Sequence, residues 1–320
     1  MCTEWVVPAS TACGLSSPWT FLAHATARTS RIRLGTAITV LPLESPIMLA
    51  EDVSVVDALS GGRVELGVGS GYGADEYAAF GVDLQRRREL TTEALDVVTR
   101  ALANEPVGTD SFTIQPPAGD FSDRIWQGVF SREGAVFVAR GGSRLLLNRA
   151  TYGYDEPTDE VQRRWADAFL KECSKTREPR IGLSRMLFPA KDRRAALAQR
   201  EEGTLHAAEL LVERGQFPAG LDLEGYLRRL HSFHGHPDEI TAQLQAERVL
   251  PVATDLICQF NPGVPDQDAA IRALELIATE IAPALGWRPA AEPTDQATTT
   301  PTPAHRAEPE GPPFFENLQS

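Results

Sequence analysis

The chain has 320 residues, and its 31 Lys and Arg against 44 Asp and Glu leave a formal net charge of −13. That balance disfavours a general nucleic-acid or anionic-membrane binder, which needs a basic face to release counterions. The 42% hydrophobic and 23% charged composition is that of a globular chain, long enough for two small domains or one large α/β barrel.

No basic stretch followed by a long apolar one opens the sequence, so no secretory signal is expected. No apolar run reaches the ~18 residues of a membrane span. Cys2, Cys13, Cys173 and Cys258 lie far apart without a C-x-x-C, which suits free thiols in a reducing cytoplasm.

Residues 4–7 read as a short strand, and Pro18 leads a helix over 19–27. Residues 32–40 (IRLGTAITV) are β-rich and apolar on both faces, the pattern of a buried parallel strand. Pro46 starts a helix in which Leu49, Val53, Val56 and Leu59 fall at helical spacing, and Gly61-Gly62 stops it. Residues 64–68 form a second buried-type strand. A long helix over 84–104 puts Leu90, Ala94, Leu95, Val98 and Leu102 on one stripe. The connection over 104–123 is long, polar and Pro-rich, as active-site loops often are.

Strand and helix then alternate: strand 125–130, helix 134–140, strand 144–147, a loop over 152–158, helix 158–172 and strand 181–187. A helix-rich stretch over 192–230, a helix over 237–250, a strand over 254–259 and a last helix over 267–285 complete the pattern. From 289 to 320 the chain has seven prolines and few large apolar groups, so this segment is expected to be a disordered tail. Residues 1–288 then form one domain.

Strands buried on both faces and joined through helices mean a parallel sheet, and about seven such units suit a (β/α)8 TIM barrel better than an open sheet. The chain reads as starting one β/α unit short.

The glycine-dense stretch 61–81 (GGRVELGVGSGYGADEYAAFG) runs a strand into Gly67, Gly69, Gly71 and Gly73. Glycines at a strand's C-terminal end let the backbone approach a phosphate or a flat ring, although a tight strand-to-helix turn accounts for them equally. No Walker phosphate motif exists, the only lysines being Lys171, Lys175 and Lys191. His231, His234 and His236 are dense, yet no nearby Cys or acidic pair completes a tetrahedral set, so no metal site is expected. His24 reads as packing, or as a group on the side of a bound ring. Arg86-Arg87-Arg88 reads as a solvated face, or as a source of one phosphate-binding arginine.

Residues 31–37 (RIRLGTA), 40–43 (VLPL) with Pro46, 49–52 (LAED), 57–63 (DALSGGR), 67–72 (GVGSGY) and 80–83 (FGVD) together resemble the bacterial-luciferase-like flavin monooxygenases. Ile125-Trp126, Ser131, Gly141 and residues 255–261 (DLICQFN) continue the resemblance, which spans about residues 4–286. It implies a (β/α)8 barrel with reduced FMN, or the deazaflavin F420, at the C-terminal mouth. By the same resemblance Thr36, Ala37, Gly67, Val68, Gly69, Ser70, Gly71 and Tyr72 surround the flavin, while Ser131 and Gly134 hold its phosphate. Ser131 is equally a plain N-cap, and Tyr72 a cover over the mouth. Ala37–Ile38 falls where the family carries a bulge, sometimes with a cis peptide.

The activity implied is FMN-dependent monooxygenation of a small organic substrate, with a separate flavin reductase supplying the reduced cofactor. F420-dependent hydride transfer is the alternative within enzymes, and a non-catalytic flavin-binding or dimer-partner paralogue the alternative outside them. The resemblance also implies a homo- or heterodimer through helices 19–27 and 48–59.

Two departures bear on these expectations. Ser70 stands where relatives usually have an arginine that pairs the phosphate. Residues 5–10 (WVVPAS) stand where they commonly carry Glu-His-His, so no catalytic base is assigned. A truncated gene product, a barrel patched by a partner and a degenerate paralogue all account for the short N-terminus.

Overall fold

The structure, a computed structural model, describes residues 17–108, 111–151, 154, 156–174, 177–213, 215–260 and 267–287. The expected strand over 4–7, the segment over 5–10 and the tail over 289–320 lie outside the described residues.

Pro18 occupies the first turn of α1 (Pro18–Arg28), where its missing N–H costs nothing. The apolar stretch over 32–40 is two short strands, β1 (Leu34–Gly35) and β2 (Thr39–Val40), rather than one. Helix α2 (Pro46–Ser60) ends on Gly61, whose φ of 70° is the left-handed conformation that a C-terminal cap requires. β3 (Val64–Gly69) is buried throughout, and a short α3 (Ala74–Ala79) follows it. The long helix expected over 84–104 begins as a 3-10 turn and becomes α4 (Arg87–Leu102).

The alternation continues through β4 (Ile125–Val129), α5 (Arg132–Arg140), β5 (Arg144–Leu147), α6 (Thr158–Glu172) and β6 (Ile181–Pro189). The helix-rich stretch resolves into α7 (Arg193–Glu213) and α8 (Leu223–Arg229). After it comes a strand that the sequence did not announce, β7 (Ser232–Gly235). α9 (Pro237–Gln245), β8 (Asp255–Gln259) and α10 (Gln267–Leu276) close the described chain, α10 passing through a π turn into α11 (Ala282–Ala284).

All strand pairings in the sheet are parallel. β1 and β2 pair with β3, and the sheet then runs β3–β4–β5–β6. β6 has three partners. It meets β5 through Ile181–Leu183, β8 through Gly182–Met186, and β7 through Met186–Pro189. Gly182 pairs with both β5 and β8, so those two lie on opposite edges. Met186 pairs with both β7 and β8, so β7 continues the β5 edge beyond the end of β5. Among the described residues β8 pairs only with β6, and β1 and β2 only with β3, giving a curled, barrel-like sheet that does not close.

Alternate residues sort by face. Val64, Leu66 and Val68 of β3 join the helix layer with Leu22, Leu49, Val53 and Val98. Leu145, Leu147, Ile181 and Leu183 do so with Trp165 and Phe169 of α6. Trp126, Leu146 and Ile257 form a separate interior cluster with Ala37 and Ile38. No helix among the described residues is long and apolar enough to cross a membrane.

Candidate functional site

The expected residues gather where β1, β2, β3 and β4 end. Gly35 pairs with Glu65 and Thr39 with Val68. Four steps on one strand therefore answer three on the other, which is a β-bulge over Thr36–Ile38. The Ala37–Ile38 peptide within it is cis. The bulge presses into β3, and the two glycines there make room for it. A Cβ at Gly67 would overlap the Thr36 carbonyl oxygen, and one at Gly69 would overlap the Ile38 side chain. A Cβ at Gly128 of β4 would lie 3.3 Å from the same Ile38 side chain. Thus the Thr36 backbone and the Ile38 side chain fill the space cleared at 67 and 69, and the half-buried Ala37–Ile38 segment becomes the surface offered to the interior.

Thr36 is fully buried. Its hydroxyl donates to the Gly67 carbonyl at 2.7 Å and accepts from the Thr39 hydroxyl at 3.1 Å. It latches the bulge to β3. The Val68 side chain belongs to the helix layer, so only its backbone is at the strand end. Gly71 takes a φ of 60°, and a Cβ there would meet Val40 at 2.7 Å. Beyond it, Ser70 is half-buried, and its carbonyl accepts from the buried Tyr77 hydroxyl. Burial raises the Tyr77 phenol above its ordinary value. The exposed rings of Tyr72 and Phe130 meet edge-on at 5.8 Å across the tips of β3 and β4.

Ser131 follows Phe130 directly and caps α5, its oxygen accepting from the Gly134 N–H at 3.0 Å. A Cβ at Gly134 would stand 3.3 Å from the Val129 side chain, a tight contact that glycine avoids. The cap takes up the Gly134 N–H and leaves those of Arg132 and Glu133, with the Ser131 hydroxyl hydrogen, without an acceptor among the described residues, a donor set that fits a phosphate. Arg132 beside it is exposed. An apolar interior shelf at Ala37–Ile38 on one side of β3 and a donor-rich helix start after β4 on the other suit a planar group with an anionic tail.

Beneath lies a charged floor that sequence reasoning missed. Glu65 is fully buried in β3. It accepts from the Trp126 indole N–H at 2.7 Å and is paired with Arg33. Burial raises its carboxyl, opposed by Trp126, Arg33 and Arg180. Arg180 stacks 4.6 Å over Trp126 and is paired with Asp255 at 2.5 Å. The signal was present as a glutamate inside an otherwise apolar strand, since a buried carboxylate needs cationic partners.

The histidines do not converge. His231 meets Glu247 at 2.5 Å, the buried His234 touches the Ser232 carbonyl through Nδ1 at 3.3 Å, and His236 caps α9. Among the described residues no three His, Cys, Asp or Glu side chains are placed to share a metal ion. His24 is exposed on α1, and Arg86 pairs with Glu89 on the surface. A cleft of about 520 Å³ opens elsewhere, beside Thr151–Thr158 and Gln216–His231, and none of the expected flavin-site residues lines it.

Comparison with known proteins gives a consistent picture. A family model described as luciferase-like monooxygenase matches residues 3–267. Limonene 1,2-monooxygenase of Rhodococcus erythropolis is 27% identical, covering 84% of this chain and 73% of its own. Among solved structures, the oxygenating constituent of 3,6-diketocamphane monooxygenase from Pseudomonas putida, in complex with FMN, superposes with a TM-score of 0.66. It is 16% identical and covers 89% of this chain and 88% of its own. The coenzyme F420-dependent tetrahydromethanopterin reductase of Methanopyrus kandleri gives 0.65, with 17% identity over 89% and 91%. At these identities the two structures share a fold with this chain.

Proposed function

The chain belongs to the luciferase-like monooxygenase family, a family of oxidoreductases, and from that premise we propose that it is an FMN-dependent monooxygenase acting on a small organic substrate. The observation that carries the proposal is the pairing of two features on either side of β3. One is the Ala37–Ile38 shelf, seated by Gly67, Gly69 and Gly128. The other is the donor-rich start of α5 at Ser131.

In this reading Ala37, Gly67, Gly69 and the backbone of Val68 support the ring, with Thr36 holding the shelf in place. Ser70, Gly71 and Tyr72 border the chain side, and Ser131 with the first turn of α5 binds the phosphate. Reduced FMN, when bound, supplies the electrons that activate oxygen toward the substrate. Tyr72 and Phe130 cover the strand tips and exclude water, which strengthens every polar contact beneath them. Ser131 contributes one hydroxyl donor and a fixed helix start, so binding costs no rearrangement there. A separate flavin reductase provides the reduced cofactor, and the enzyme works in the cytoplasm as a dimer through α1 and α2. Residues 1–288 constitute the catalytic domain and 289–320 a tail.

F420-dependent hydride transfer is the second reading. The fold shared with the F420-dependent tetrahydromethanopterin reductase supports it, whereas Ser70 brings no charge to the phosphoryl group of either cofactor. Anaerobic titration of the full chain with reduced FMN and, separately, with reduced F420 tests both. Saturable FMN binding with weaker F420 binding supports the proposal. Preference for F420 transfers the activity to hydride transfer. Binding of neither up to high micromolar concentration leaves a non-catalytic protein.

A further inference from the structure

We infer that the cleft between the β5–α6 connection and the α8–β7 turn is a second binding site, and that it takes an anionic amphiphile: an oxyanion head on an apolar body. At about 520 Å³ it has the size of a small-molecule site. Arg228 and Arg229 line it from the last turn of α8, and their side chains make no hydrogen bond or ion pair among the described residues. Arginines elsewhere are commonly tied down: Arg124 to Asp57, Arg180 to Asp255, Arg185 to Glu247 and Arg193 to Glu224. Two adjacent unpaired guanidinium groups in a hollow are therefore a local basic field within a chain of net charge −13.

The carboxylate on the cleft wall, Glu156, does not cancel that field. Arg164 holds it through two hydrogen bonds of 2.7 and 2.9 Å, which keep its carboxyl below the ordinary value. A helix C-terminus favours basic residues in any case, but the same hollow also offers the exposed ring of Tyr154 and the half-buried Leu221. Together they match a head that needs cations and a body that needs cover. The side-chain oxygen of Gln216, buried in the same wall, has no donor among the described residues, a demand that a bound molecule or water must meet.

The wall is also preformed. His231 is fixed by Glu247, and Glu247 is gripped by the buried Arg185 at 2.8 and 2.9 Å. Arg185 in turn donates to Gln162 at the start of α6, so both sides of the cleft share one buried network. With the wall fixed in this way, an oxyanion has only the two exposed arginine side chains to order.

Calorimetric titration of the full chain with octanoate, octyl phosphate and 1-octanol tests the inference. At least one anion should bind saturably, with octanol at least tenfold weaker, and comparison of the two anions tells carboxylate from phosphate. The variant R228A/R229A should lose at least tenfold in anion affinity while octanol is unchanged, whereas Arg88→Ala on exposed α4 should behave as the parent. An unchanged melting temperature would show that the double variant is folded. Reduced-FMN binding should survive in it, so that failure of the flavin proposal and failure of this one are told apart. Equal binding of octanol, undiminished anion binding by the double variant, or no binding of either anion would each overturn the inference.

Discussion

At the scale of single residues, the glycines of β3 carry a more specific message than their density suggests. Gly67 faces the Thr36 carbonyl and Gly69 the Ile38 side chain, so the two positions differ in what can give way. Backbone cannot retreat, whereas an isoleucine can change rotamer. Gly67→Ala should therefore cost about 3 kcal/mol of stability, and Gly69→Ala clearly less, as read from urea unfolding midpoints. Equal losses for the two would show that the bulge, not the side chain, yields at both. A second residue-scale prediction concerns Glu247. Burial would raise its carboxyl, but Arg185 and His231 outweigh burial and hold it below the ordinary 4.5. Since the folded value is depressed, the stabilisation is complete above pH 4.5 and is lost as pH falls through the folded value. Glu247→Gln leaves the buried Arg185 without its counter-charge and should cost about 3 kcal/mol near neutrality. The gap to the parent should narrow as pH falls below 4.5, and a gap constant with pH would reject the assignment.

At the scale of elements, strongly patterned segments were legible and conditional ones were not. Expected and observed bounds coincide for β5 and α6, and differ by a single residue at the end of β3 and at the end of the strand over 125–130. β7 escaped because Ser-Phe-His-Gly has no β-branched residue, and its strand character comes from pairing with β6, not from local preference. The split of 32–40 is equally non-local. It follows from a bulge that only the glycines of another strand make affordable. The sequence offered these glycines as room for a ligand or a tight turn; in the structure Gly67 and Gly69 clear space for the chain itself. Ser131 was legible as an N-cap, and the structure bears out that role. Whether it also serves a phosphate is tested by Ser131→Ala. Loss of the cap should cost about 1 kcal/mol of stability. FMN affinity should fall severalfold while riboflavin, which has no phosphate, binds as before. Ser131→Thr retains both the cap and the donor and should restore both. A parallel loss for FMN and riboflavin would mean that α5 acts on the ring side only through its packing.

At the scale of the whole molecule, the helix layer is covered unevenly. α2 buries Leu49, Val53 and Val56 against the sheet, yet its other face carries Met48, 65% exposed, with Val55 and Leu59, 63% exposed, along one stripe. Phe21 on the neighbouring α1 is exposed as well. A helix that is apolar on both faces is ordinarily a buried one, so this surface is suited to a second chain. Helix-on-helix association would then extend the core outward and leave the strand tips at Tyr72 and Phe130 clear of the interface. Met48→Glu with Leu59→Glu places charge where contact is proposed and touches no residue of the sheet-facing side. In sedimentation velocity at micromolar concentration the parent should run as a dimer and the double variant as a monomer with unaltered melting behaviour. Reduced-FMN affinity should persist in that monomer, because every group assigned to the flavin comes from one chain. A parent that is monomeric throughout would remove the interface. A monomeric variant that no longer binds flavin would instead place part of the site at the contact between two copies.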